Sequence, residues 1–126
     1  TSRLVGSEMC IRDRYKGIAV SSGNSFVHET ESQVILNGSY NINFTMDLVL
    51  KDTGLFDELA KKLNASLEIS PKIVDIFKDG QKKYGSRAWS SMIVKRMEDI
   101  NQINFRAEGF PKELVDNEPE KRGHEI

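Results

Sequence analysis

An all-α fold is what this sequence predicts, and three observations carry that expectation. Phe44, Leu48, Leu55, Leu59 and Leu63 recur at helical spacing. Ser70-Pro71 has the order of a helix start, a capping residue followed by proline at the first helical position. Nowhere does a run alternate apolar and polar residues as a half-buried strand does. Composition agrees: a 38% hydrophobic fraction suffices for a packed core, and 126 residues suit one domain or part of a larger one. With 18 Lys+Arg against 19 Asp+Glu, the formal charge of −1 argues against a nucleic-acid partner. One cysteine supports neither a disulfide framework nor a multi-thiolate zinc site. No apolar run approaches the roughly 18 to 20 residues of a membrane span, and no secretory signal opens the chain. A cytoplasmic domain with no membrane or metal partner is expected.

Taken in order, the first segment is the odd one. Leu4-Val5-Gly6-Ser7-Glu8-Met9-Cys10-Ile11-Arg12-Asp13-Arg14 fits neither an amphipathic helix nor an alternating strand. Along its whole length it resembles the conceptual translation of a transposase-type sequencing adapter. Residues 1–14 are therefore expected to be artefactual, which takes Cys10 with them and implies a gene cut upstream of Tyr15. Tyr15–Val20 reads as the end of a truncated helix. Ser21-Ser22-Gly23-Asn24-Ser25 is a turn, with Asn24 or Ser25 capping a helix reinforced by Glu29. That helix puts Phe26, Val27, Val34 and Ile35 on one side and stops near Asn37-Gly38.

After a polar connector over 41–43, the strongest periodic segment predicts a helix from Asn43 to Asn64, with Val49, Phe56 and Ala60 broadening its inward stripe. The Ser70-Pro71 helix follows, with Ile73, Val74, Ile76 and Phe77 apolar, Gly80 a weak point inside it, and Tyr84-Gly85 its end. A fourth helix is expected over Arg87–Asn101, with Trp89, Ile93, Met97 and Ile100 inward. From 104 to 126, charge, Pro111 and Pro119 predict a flexible tail. The organisation is thus 1–14 artefact, 15–103 helical domain and 104–126 tail.

Lys51 and Asp52 are the residues with most chemical interest. They fill the stripe position between Leu48 and Leu55, where a charge costs several kcal/mol unless it is paired or meets a ligand (roughly the range for buried ions). One reading is an ion pair at the stripe's edge with Lys51 reaching solvent. The other is a helix lining a cleft, where the ammonium meets a polar ligand and Asp52 orients it. Gly54 in the same helix points to a close crossing with another backbone or to a tolerated glycine. His28 and His124 have no partners at metal-ligand spacing, so capping or surface roles are expected. Lys61-Lys62 and Lys82-Lys83 read as solvated helix faces.

Phe44-Thr45-Met46-Asp47-Leu48-Val49-Leu50-Lys51-Asp52-Thr53-Gly54-Leu55 resembles the F…(L/M)xxKDLGLA segment of the β-hydroxyacid dehydrogenases, the family of 3-hydroxyisobutyrate dehydrogenase. Ser22-Gly23-Asn24-Ser25 resembles the SSGxS turn that precedes it there, and the downstream helix order is similar. Thr53 and Phe56 depart from the usual leucine and alanine. The resemblance, over Tyr15–Asp99, implies a helical C-terminal domain of the 6-phosphogluconate dehydrogenase C-terminal-like type, truncated on its N-terminal side. It implies NAD or NADP as cofactor, a short 3-hydroxy acid or its semialdehyde as substrate, and hydride transfer between them. It assigns cofactor contact to Lys51 and active-site lining to Phe44 and Asp52. The catalytic lysine of the family's GxxxKxxxN motif and the glycine-rich dinucleotide fingerprint are not in this sequence, so no catalytic residue is expected here and the fragment alone should be inactive. Homodimers or homotetramers built through this domain are also implied, and with them exposed apolar surface. The competing expectation is a small all-α interaction module in which Lys51 and Asp52 are surface charges.

Overall fold

The computed structural model describes residues 2–114 and Gly123, with side chains from Cys10 onward. Among the described residues it contains α-helices and one 3₁₀ segment, with a single isolated β-bridge and no strand. The order is α1 (Ser2–Ala19), α2 (Phe26–Asn37), α3 (Met46–Lys62), α4 (Ser70–Tyr84), the 3₁₀ segment Ser90–Val94 and α5 (Lys95–Asn101). The all-α architecture is as expected. The first segment differs from expectation, because Ser2–Ala19 is one continuous helix that includes residues read as non-helical. None of these helices is long and apolar enough to cross a membrane.

Local chemistry explains the helix ends. The Ser25 hydroxyl accepts the His28 N–H at 2.9 Å, and the Asn24 amide donates to Glu29 at 2.8 Å, so the turn before α2 is capped from both sides. Gly38, at φ 92°, closes α2 with its N–H shared between the Val34 and Ile35 carbonyls. α3 begins at Met46 rather than Asn43. Before it, Phe44 O accepts from Ser90 N at 2.7 Å and Met46 N donates to Ala88 O at 2.9 Å, which fastens the Thr45–Trp89 bridge. This pairing keeps Arg87–Trp89 out of the fourth helix, whose first turns are 3₁₀ and whose α-helical part starts only at Lys95. Ser70 does not cap α4; its hydroxyl donates to Asp57 of α3 at 2.7 Å and helps hold the antiparallel α3–α4 pair.

The core is small: Val34, Leu36, Tyr40, Met46 and Ala107 are its buried apolar members. At its centre lies Glu98, 2% exposed. Its carboxylate accepts from Tyr40 Oη and, at 3.2 Å, from Arg106 Nη1. Arg106 also donates to Ile35 O at 3.2 Å. This network anchors the segment after α5 across the C-terminal end of α2, where Ala107 N donates to Leu36 O and Asn37 donates to Phe110 O. The start of the expected loose tail, residues 104–114, is therefore strapped down. Residues 115–122 and 124–126, with His124 and Pro119, lie outside the described residues.

Several apolar side chains expected inward are not. Leu55 is 57% and Leu59 53% exposed, and Phe56, Leu63, Ile73, Ile76, Met97 and Ile100 are exposed as well. On α3 the less exposed positions are Met46, Asp47, Leu48, Val49, Leu50, Thr53, Gly54, Asp57 and Ala60. The second half of the helix thus turns Thr53, Asp57 and Ala60 in, while Leu55 and Leu59 look outward.

Candidate functional site

The capped start of α2, the pinned backbone at Phe44 and the 3₁₀ segment enclose a cleft of about 450 Å³. Val27, Glu31 and Ile35 of α2 form one wall, and Phe44, Phe77 and Ile93 contribute others. Phe44 is held there by its backbone bond to Ser90, so its ring position depends on a residue 46 places along the chain.

Lys51 and Asp52 do not line this cleft. They stand on the outward side of α3 as an ion pair with Nζ–Oδ1 3.7 Å, their side chains 63% and 60% exposed. So open a pair contributes at most about 1 kcal/mol. They share that side with Leu55 and Phe56, one turn further on, so a cationic and an anionic group adjoin an apolar surface that the chain itself leaves uncovered. The structure brings Lys51 and Asp52 together and leaves Phe44 on a separate surface. Gly54, beside them, has nothing within 4 Å of where a Cβ would stand, so no close backbone crossing explains it.

Glu31 was missed by the sequence reading. It lines the cleft at four residues from both Val27 and Ile35, a charge in the middle of an apolar stripe, and that spacing was the available signal. Burial pushes its carboxyl above the usual carboxylate range, and among the described residues no cation or hydrogen bond opposes the shift. His28, by contrast, is satisfied. Its Nε2–H donates to Tyr15 O at 2.9 Å and its Nδ1 accepts the Ser32 hydroxyl at 3.2 Å, which ties α1 to α2. Among the described residues no group of three or more His, Cys, Asp or Glu side chains is arranged to hold a metal.

Elsewhere, charge pairs stitch helices together. Asp79 of α4 accepts from Arg96 at 2.6 Å and lies 3.1 Å from Lys83, and these donors hold its carboxyl below the usual range. Tyr84 donates to Asp99 of α5 at 2.6 Å; burial and that carboxylate push its phenol up to about 12.

A family model described as "NAD-binding of NADP-dependent 3-hydroxyisobutyrate dehydrogenase" matches residues 9–97, most of the chain. The matched span runs from within α1 into α5 and includes Phe44, Lys51 and Asp52. No curated protein and no solved structure matches the chain.

Proposed function

This chain belongs to the NAD-binding family of NADP-dependent 3-hydroxyisobutyrate dehydrogenase, and from that membership we propose that it is the helical, cofactor-closing part of a nicotinamide-dependent dehydrogenase. Its substrate on this reading is a short 3-hydroxy acid or the corresponding semialdehyde, with NAD or NADP as cofactor. The observation that supports a cofactor surface here is the uncovered side of α3, where the Lys51 ammonium stands beside Leu55 and Phe56. These residues suit a nicotinamide nucleotide: an exposed, loosely paired ammonium can donate to polar oxygens, and the adjoining apolar side chains can cover a planar ring. When bound, the nicotinamide accepts or supplies the hydride. Lys51 would hold the cofactor by charge-assisted hydrogen bonding and Asp52 would keep that ammonium oriented, while for Phe44, which stands on a separate surface, an active-site role is implied by the family resemblance alone. The chain supplies no general acid of its own to this reaction. That role falls to the family's lysine-bearing helix, which we place, with the dinucleotide fold, in a part of the gene displaced by the adapter-like residues 1–14. The fold type is then that of the 6-phosphogluconate dehydrogenase C-terminal domains, and the outward leucines beyond the cofactor surface, Leu59 and Leu63, are subunit contacts of a dimer or tetramer.

Recovering the upstream gene tests this reading directly. A GxGxxG segment and a KxxxN helix are expected before Tyr15, and a start codon immediately before Tyr15 would overturn it. In the full-length enzyme, Lys51→Ala should raise KM for the cofactor about tenfold, the loss of one charge-assisted hydrogen bond. An unchanged KM would remove Lys51 from the cofactor site.

A further inference from the structure

We propose that the cleft between α2, Phe44 and α4 binds a small organic ammonium ion, with Glu31 as its counter-charge and Phe44 and Phe77 as its aromatic walls. This goes beyond the dehydrogenase reading, with which it shares Phe44, and its test reads binding to this chain alone. The cleft is about 450 Å³, within the size range of small-molecule sites, and its lining is apolar apart from Glu31 and two serines.

Each other class of occupant meets a physical objection. A neutral apolar molecule would strip water from the Glu31 carboxylate and return no partner, which is costly for a charge. An anion would be repelled by the same group. A hard divalent cation needs six or more oxygen ligands, or water in place of several, and the lining supplies one carboxylate. Of the serine hydroxyls, that of Ser32 is already engaged with His28.

An alkylammonium satisfies all of these conditions. Its charge pairs with the carboxylate, the two phenylalanine side chains in the lining can attract a cation through their ring quadrupoles, and its alkyl groups match the Val27, Ile35 and Ile93 surface. Burial displaces the Glu31 carboxyl upward, and among the described residues no cation pairs with it.

Choline and its uncharged isostere 3,3-dimethylbutan-1-ol separate charge recognition from shape. Titrated into the 126-residue chain at matched ionic strength, choline should bind about tenfold more tightly than the isostere and shift the NMR resonances of Glu31, Phe44 and Phe77. Glu31→Gln, which keeps the shape of this half-buried side chain and removes its charge, should bring that ratio close to one. Phe77→Leu should weaken choline several-fold and change the isostere little. Equal binding of the two probes, no saturable binding of choline, shifts confined to other residues, or a ratio that survives Glu31→Gln would each overturn the proposal.

Discussion

Two glycines in the α3–α4 pair show how much the surroundings of one Cα decide. Both lie inside helices, where glycine costs about 1 kcal/mol relative to alanine. A Cβ on Gly54 would meet nothing within 4 Å, whereas one on Gly80 would come within 2.8 Å of Ile93 Cδ1 and 3.3 Å of Met46 Cε. Gly80 is thus the place where α4 approaches the core closely, and its weakness as a helix former is the condition for that approach. Gly54→Ala is expected to stabilise the chain by up to about 1 kcal/mol. Gly80→Ala should forfeit that gain, because buried Met46 and half-buried Ile93 must shift to admit the methyl. Denaturant midpoints of the two variants, compared with the parent chain, check the contrast; equal shifts would contradict it. The sequence made both glycines visible, offering a close crossing or a tolerated glycine at Gly54 and only a weak point at Gly80. The structure makes Gly54 the tolerated one and Gly80 the close approach, because proximity across α3, α4 and the 3₁₀ segment is not written in either helix.

The elements differ in how their faces are used. α3 was legible as a helix from the spacing of its leucines, yet Leu55 and Leu59 stand outward and Thr53, Asp57 and Ala60 turn in. A helix pairs with whatever its neighbour can approach, and small side chains together with the Ser70–Asp57 hydrogen bond let α4 come close. The leucine-rich side is left as an apolar band of the kind that marks an interaction surface. On the subunit-contact reading, Leu59→Lys should change the unfolding free energy of the dilute chain by no more than about 0.5 kcal/mol, since the side chain is already exposed. In sedimentation velocity the same variant should convert an assembled species into monomer. A parent chain that sediments as a monomer at every concentration would remove the subunit-contact reading.

At the scale of the whole molecule, few of the described residues are fully buried, so polar ties between helices carry much of the specificity of the fold. Glu98 with Tyr40 and Arg106, Asp79 with Arg96 and Lys83, and Tyr84 with Asp99 connect the segment after α2, α4, α5 and the terminal strap. These ties make stability depend on pH at the alkaline end. Tyr84 titrates near 10 when unfolded and near 12 when folded. Its contribution is therefore complete below pH 10 and is lost as pH rises from 10 through 12. Tyr40 is raised by burial and by Glu98, which adds in the same direction. Denaturant midpoints should fall across that window, and Tyr84→Phe should flatten the fall; an identical slope in the variant would sink the assignment. By itself the sequence determined that the chain is helical, where α2 stops, that α4 opens at Ser70-Pro71, and which family motif surrounds Lys51, because caps, prolines, helical period and short motifs act over a few residues. The tertiary structure alone decided which side of α3 is covered, that Glu98 is a core residue, that residues 104–114 form a strap, and that Glu31 opens on a cleft. Those outcomes depend on contacts between segments far apart in the chain, such as Phe44 with Ser90 and Glu98 with Tyr40, which no local pattern encodes.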